Sequence, residues 1–153
     1  SLKNRYRLMW MDAVYEPGEV KVVAYDKDGK AVAEKVVRTA GKPHHIELVS
    51  NRNELTADGK DLAYVTVKIV DKDGNLCPTA ANEITFKVKG KGYYRAGANG
   101  DPTSLESFQA PHMKVFSGMM TAIVSSTEEP GKITLEATSK GLKKATLVIE
   151  SGK

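Results

Sequence analysis

Apolar residues recur at every second position along most of this chain, in segments too short for anything but strands. Val20, Val22 and Ala24 share one side of such a segment, with Lys21 between the first two. Val65, Val67 and Ile69 alternate with Thr66 and Lys68, and Ile84, Phe86 and Val88 with Thr85 and Lys87. Ile133, Leu135 and Ala137 repeat the pattern, followed by Ala145, Leu147 and Ile149. Period two sends successive side chains to opposite faces, so each segment has one face for a core and one for water. With Gly, Asp and Pro between the segments, the pattern predicts an all-β, immunoglobulin-like antiparallel β-sandwich and little helix. Val65, Val67, Ile69, Ile84, Phe86, Val88, Ile133, Leu135, Ala137 and Leu147 are expected inward, and Lys68, Lys87 and Glu136 outward, because a one-residue slip would exchange the two faces.

An internal echo suggests how these strands are grouped. Asp26-Lys-Asp28-Gly29 follows one strand pattern and Asp71-Lys-Asp73-Gly74 another, while Glu16-Pro17-Gly18 and Glu129-Pro130-Gly131 each precede a strand. Glu129-Pro-Gly131 opens the last hairpin of a complete module, so Glu19 to Thr39 reads as the last hairpin of an earlier one. Upstream of Glu16 there is room for only one more strand, around Tyr6 to Ala13, whereas a sandwich of this kind needs about seven. The expected organisation is a truncated sandwich half-module over residues 1–42 and a complete immunoglobulin-like domain over 43–153, with Lys42-Pro43 at the boundary. The apolar face of the half-module, including Trp10, Val20 and Val22, needs a cover, so self-association through residues 6–39 is expected.

Charge excludes little by itself but its distribution is informative. The net charge is +4; residues 1–42 hold nine Lys/Arg against six Asp/Glu, and the remainder fourteen against thirteen. This is a small excess whose lysines alternate with apolar positions, as on the water face of a strand, so no nucleic-acid partner is expected. No apolar run is long enough to suggest a membrane span. Cys77 stands alone, which rules out an intrachain disulfide, and it reads as a structural thiol.

The run Gly97 to Phe108 interrupts the strand pattern. Two Gly, one Asn and one Pro within six residues enforce turns, and the run is read as loop throughout. With Phe116-Ser117-Gly118-Met119-Met120 after it, this loop resembles the C-terminal region of family 2 glycoside hydrolases, specifically bacterial β-galactosidases. Arg7-Leu-Met-Trp10-Met, Val14-Tyr15-Glu16-Pro17-Gly18 and Val37-Arg38-Thr39-Ala40-Gly41 resemble the end of the small sandwich domain that follows the barrel in those enzymes. Leu55-Thr56-Ala57-Asp58-Gly59-Lys60-Asp61 and the strands after it resemble bacterial immunoglobulin-like domains of the invasin type.

That resemblance implies a non-catalytic accessory piece of a periplasmic or secreted enzyme, whose two catalytic Glu residues lie in a barrel upstream. The implied partners are that barrel and its neighbouring domains, and a glycan. An independent carbohydrate-binding module and an adhesin-like structural domain are the competing readings. The residues expected to make interdomain or glycan contacts are Tyr93, Tyr94, Asn99, Asp101, Glu106 and Phe108. Adjacent Tyr93 and Tyr94 must point to opposite sides of a strand, so one ring is core and the other exposed, and packing on a neighbouring domain is favoured for the exposed ring.

The remaining motifs read as structure. Retaining glycoside hydrolysis needs two carboxylates about 5 Å apart, and Asp101 with Glu106 is the only pair in an irregular loop; Asp101 before Pro102 is expected to cap a turn instead. Neither Asp-x-Asp-Gly motif has the acidic ligands of an EF-hand at the required offsets, so both are expected to be hairpin turns. His44, His45 and His112 lack metal-ligand spacing. No catalytic residue, metal site or cofactor is expected.

Overall fold

In the computed structural model the described residues are 12 and 14–153. The strand expected around Tyr6 to Ala13, with Trp10, falls outside them but for Asp12. The chain divides into two compact units, Ser1–Thr39 and Ala40–Lys153.

The described part of the first unit is a hairpin of β1 (Glu19–Tyr25) and β2 (Ala31–Arg38), paired antiparallel from Glu19 opposite Arg38 to Tyr25 opposite Ala31. The Asp26 side chain closes its turn by accepting the Asp28 and Lys30 amides, each at 2.9 Å, and Gly29 takes φ 75°. A glycine there avoids the Cβ clash of a left-handed backbone.

The second unit is a sandwich. Its four-stranded sheet has the order β3 (His45–Ser50), β5 (Leu62–Val70), β9 (Met119–Ser126), β7 (Gly92–Ala98). Its five-stranded sheet has the order β4 (Glu54–Thr56), β11 (Ala145–Gly152), β10 (Gly131–Thr138), β6 (Glu83–Gly90), β8 (His112–Lys114). Pairing is antiparallel except for the short β4, which lies parallel to β11 with Glu54 opposite Glu150. No helix is present among the described residues.

The alternation predicted the core well. Val65, Val67, Ile69, Ile84, Ile133, Leu135 and Ala137 are completely buried, and Phe86 nearly so. Val88 and Leu147 are half-buried against the same cluster, toward the ends of their strands. Lys87 is exposed, but Lys68 and Glu136 are only partly so, because each lies along a cross-strand ion pair. Lys68 sits 3.6 Å from Glu47, and Glu136 sits 2.6 Å from Lys89. Burying on the order of ten aliphatic or aromatic side chains at roughly 1.5–3 kcal/mol each is the main driving force for this unit, opposed by chain entropy of similar size.

The second Asp-x-Asp-Gly motif is also a turn, but it does more than the first. Asp71 is 2% exposed and its carboxylate accepts the amides of Asp73 and Asn75, both at 2.9 Å, and the Asn75 side-chain NH2. It also accepts the Gly41 amide at 2.8 Å. The buried Cys77 thiol donates to the Gly41 carbonyl, with sulfur and oxygen 3.5 Å apart. Gly41 is thus held on both its backbone groups by the sandwich, which accounts for the second unit starting at Ala40, a few residues before Lys42-Pro43.

Candidate functional site

The loop between β7 and β8 closes one flank of the sandwich. β7 is the edge of the smaller sheet and β8 the edge of the larger, so both present unpaired backbone groups on this side. The alternating pattern carries β7 two residues further than expected: Gly97 and Ala98 pair with Ala122 and Thr121 of β9, and the irregular segment begins at Asn99. Gly97 can stay in the strand because it is buried where a Cβ would collide with the Tyr94 hydroxyl.

The loop side chains substitute for missing strand neighbours. The Asn99 amide donates to the Lys114 carbonyl at 3.0 Å, and the Lys114 N–H donates to the Glu106 carboxylate at 3.3 Å. The outward N–H and C=O of Lys114 in β8 are therefore both occupied. On the other edge the Gly97 N–H donates to the Phe108 carbonyl at 2.7 Å. Within the loop, Asp101 accepts the Thr103 hydroxyl at 2.7 Å and the Thr103 amide at 2.8 Å, and its own N–H donates to the Asn99 side chain at 3.0 Å. The Thr103 hydroxyl, then its amide, hold the Asp101 carboxyl below its ordinary range.

These contacts decide what the loop can do chemically. A general acid in glycoside cleavage needs a raised pKa, and Asp101 is displaced the other way. Glu106 is turned onto the β8 backbone and, with the Ser104 hydroxyl 3.3 Å from its second oxygen, serves as a brace. The expected turn cap at Asp101 is present, and Glu106 is half-buried.

The loop leaves two apolar side chains in solvent. Leu105 is 100% exposed and Phe108 62% exposed, while Ser104 and Glu106 on either side of Leu105 are half-buried. Leu105 was not among the residues singled out from sequence, and its only signal there was a lone aliphatic residue between two polar ones. Tyr94 turns inward and stacks on Phe86, ring centroids 5.3 Å apart and planes 15° off parallel. Burial pushes its phenol up to about 12, and its hydroxyl has no hydrogen-bond partner among the described residues. Tyr93 faces out, 39% exposed. The site residues therefore separate: Asn99, Asp101 and Glu106 brace the loop, Phe108 projects from it, Tyr94 joins the core, and Tyr93 lies on the outer face of the smaller sheet.

Among the described residues, no group of three His, Cys, Asp or Glu side chains is arranged to hold a metal ion. The fold and this flank define an immunoglobulin-like sandwich whose β7 and β8 edges are bridged by a braced loop that presents apolar side chains.

Comparison with known proteins places that sandwich. Residues 46–148 match the glycoside hydrolase family 2 C-terminal domain 5, and the chain belongs to that family. Residues 1–33 match a domain of unknown function, DUF4982. The chain is 47% identical over 137 residues to the β-galactosidase BoGH2A of Bacteroides ovatus, covering 90% of this chain and 16% of that protein. It is 38% identical over 112 residues to a β-galactosidase of Thermoanaerobacter pseudethanolicus, covering 73% of this chain and 13% of the other. Among solved structures, a glycosyl hydrolase family 2 member from Bacteroides cellulosilyticus superposes with a TM-score of 0.87 at 33% identity, over 92% of this chain and 18% of its own. The chain thus spans about a sixth of the length of these relatives.

Proposed function

We propose that this chain is a non-catalytic accessory region of a β-galactoside-cleaving enzyme, and that it docks on neighbouring domains, the catalytic barrel among them, through the loop of residues 99–111. The observation that carries the reading is the contrast within that loop. The Asn99 and Glu106 side chains brace the β8 edge and the Phe108 carbonyl holds β7, while Leu105 and Phe108 present their side chains to water. A fully exposed leucine on a fixed loop is costly to hydrate and, once buried in a partner pocket, contributes about 1.5–3 kcal/mol. Because the loop is ordered by its own hydrogen bonds, little conformational entropy remains to be lost on docking. The chain's similarity to β-galactosidases supplies the partner class.

Hydrogen exchange tests this. In a full-length enzyme carrying this region, the amides of residues 103–108 should exchange at least tenfold more slowly than in the isolated chain, and Leu105→Ser should remove most of the difference. Equal exchange in the two contexts would contradict the docking role.

A further inference from the structure

Of the asparagines in this chain, Asn99 alone is followed by glycine. The pairing matters chemically, because the side-chain carbonyl carbon of an asparagine can be attacked by the nitrogen of the next peptide unit to close a cyclic imide. A side chain on that next residue crowds the approach, and glycine has none. The fold also leaves the nucleophile open. Gly100 is exposed, a Cβ built on it would meet nothing within 4 Å, and its N–H has no hydrogen-bond partner among the described residues.

The electrophile is polarised by its neighbour. The Asn99 Oδ1 accepts the Asp101 N–H at 3.0 Å. That donor draws electron density from the amide carbon and stands where the oxyanion of an addition intermediate would form, the arrangement that stabilises such intermediates. The Asn99 Nδ2 meanwhile donates to the Lys114 carbonyl at 3.0 Å, so the same amide that is open to attack holds the loop to β8.

We propose that Asn99 is a site of spontaneous deamidation in the folded protein, and that its conversion loosens the brace on β8. The Gly100 nitrogen adds to Cγ and gives its proton to water or hydroxide. The Cγ–Nδ2 bond then breaks, and the nitrogen takes up a proton from water and leaves as ammonia. Water opens the resulting succinimide at either carbonyl, which leaves an aspartate or an isoaspartate at position 99. Either product has a carboxylate where a donor stood. It cannot donate to the Lys114 carbonyl, and it brings a second negative charge to a residue whose N–H already holds the Glu106 carboxylate. Isoaspartate also inserts a methylene into the backbone just where the chain leaves β7. The brace exists in the isolated chain, so this chemistry stands or falls apart from docking.

Peptide mapping by mass spectrometry, on the folded chain kept at mildly alkaline pH, tests it. The tryptic segment of residues 96–114 should gain the mass of an NH2-to-OH exchange at no less than a third of the rate of a synthetic peptide of the same residues. The gain should be at least tenfold faster than in the segments that hold the other asparagines, and Gly100→Ala should slow it tenfold or more. Asn99→Gln, which keeps an amide but moves its carbon out of reach, should abolish it. Asn99→Asp should quicken hydrogen exchange at the Lys114 amide at least threefold and lower the urea midpoint. Protection of the folded chain beyond threefold relative to the peptide would overturn the proposal, since the fold would then guard Asn99. An Asn99→Asp variant with unchanged Lys114 exchange would overturn the link to the brace.

Discussion

The Glu106 carboxylate accepts the backbone N–H of Lys114, 3.3 Å away, at the outer edge of the sandwich. A loop glutamate thereby occupies a position that another strand would otherwise take. Glu106→Gln keeps an acceptor oxygen and should be nearly neutral, whereas Glu106→Ala should cost about 1 kcal/mol, the usual net worth of one such hydrogen bond. Hydrogen exchange at Lys114 should quicken in the alanine variant, and light scattering should register a greater tendency to associate through the bared edge. Identical behaviour of the two variants would mean that Glu106 is not a brace.

Asp71 makes the second unit sensitive to acid. Its carboxyl is held below the ordinary range, first by the Gly41 amide and then by the Asn75 side chain. A carboxylate with a depressed folded-state pKa contributes stability above its unfolded value, about 3.9, and loses it as pH falls toward the folded value. The urea midpoint should therefore drop below about pH 4 in the parent chain. Asp71→Asn should lower the midpoint at pH 7 and flatten that acid limb; an equally steep limb would place the titrating group elsewhere.

Two glycines with similar backbone angles should respond very differently to alanine. Gly90 has φ 89° and a Cβ there would run into the Lys132 carbonyl of the paired strand; Gly100 has φ 77° with nothing within 4 Å. Gly100→Ala should cost only the left-handed strain, roughly 1–2 kcal/mol. Gly90→Ala adds a backbone collision inside a sheet and should cost well over about 3 kcal/mol, in the class of severe substitutions. Chemical denaturation of the two variants checks the order.

The hairpin of the first unit presents Val20 directly opposite Val37, 63% and 59% exposed. Two strands alone are marginal in water. We expect the chain to self-associate through this hairpin, with sedimentation coefficients that rise with concentration and a Val20→Lys, Val37→Glu double variant that stays monomeric. A wild-type chain that is monomeric at all concentrations would refute this.

Much of this fold could be read from the alternation, because a buried strand face allows no slip of register: Val65, Ile84 and Leu135 had to be inside together. What depends on long-range pairing was less accessible. The parallel placement of β4 against β11 joins residues nearly a hundred positions apart and leaves no local trace. Within the loop, Asn99-Gly100-Asp101-Pro102 announced a turn through its own chemistry, and the Asp101 cap followed from it. Glu106 did not announce its bond to Lys114, since a glutamate in a loop reads as solvent until the neighbouring strand edge is known. Leu105 was missed for the same reason, its exposure being set by which way the braced loop turns. The hold of Asp71 on Gly41 likewise spans 30 residues, where only the Asp71 turn was local.

The account turns on whether this region is accessory or catalytic. The direct measurement is turnover of an aryl β-galactoside by the isolated chain, at high protein concentration and near neutral pH. We expect no rate above the buffer control, because Asp101 and Glu106 are committed to backbone groups of their own fold. A rate that disappears with Glu106→Gln, in a protein still folded, would contradict the account and make the loop an active site.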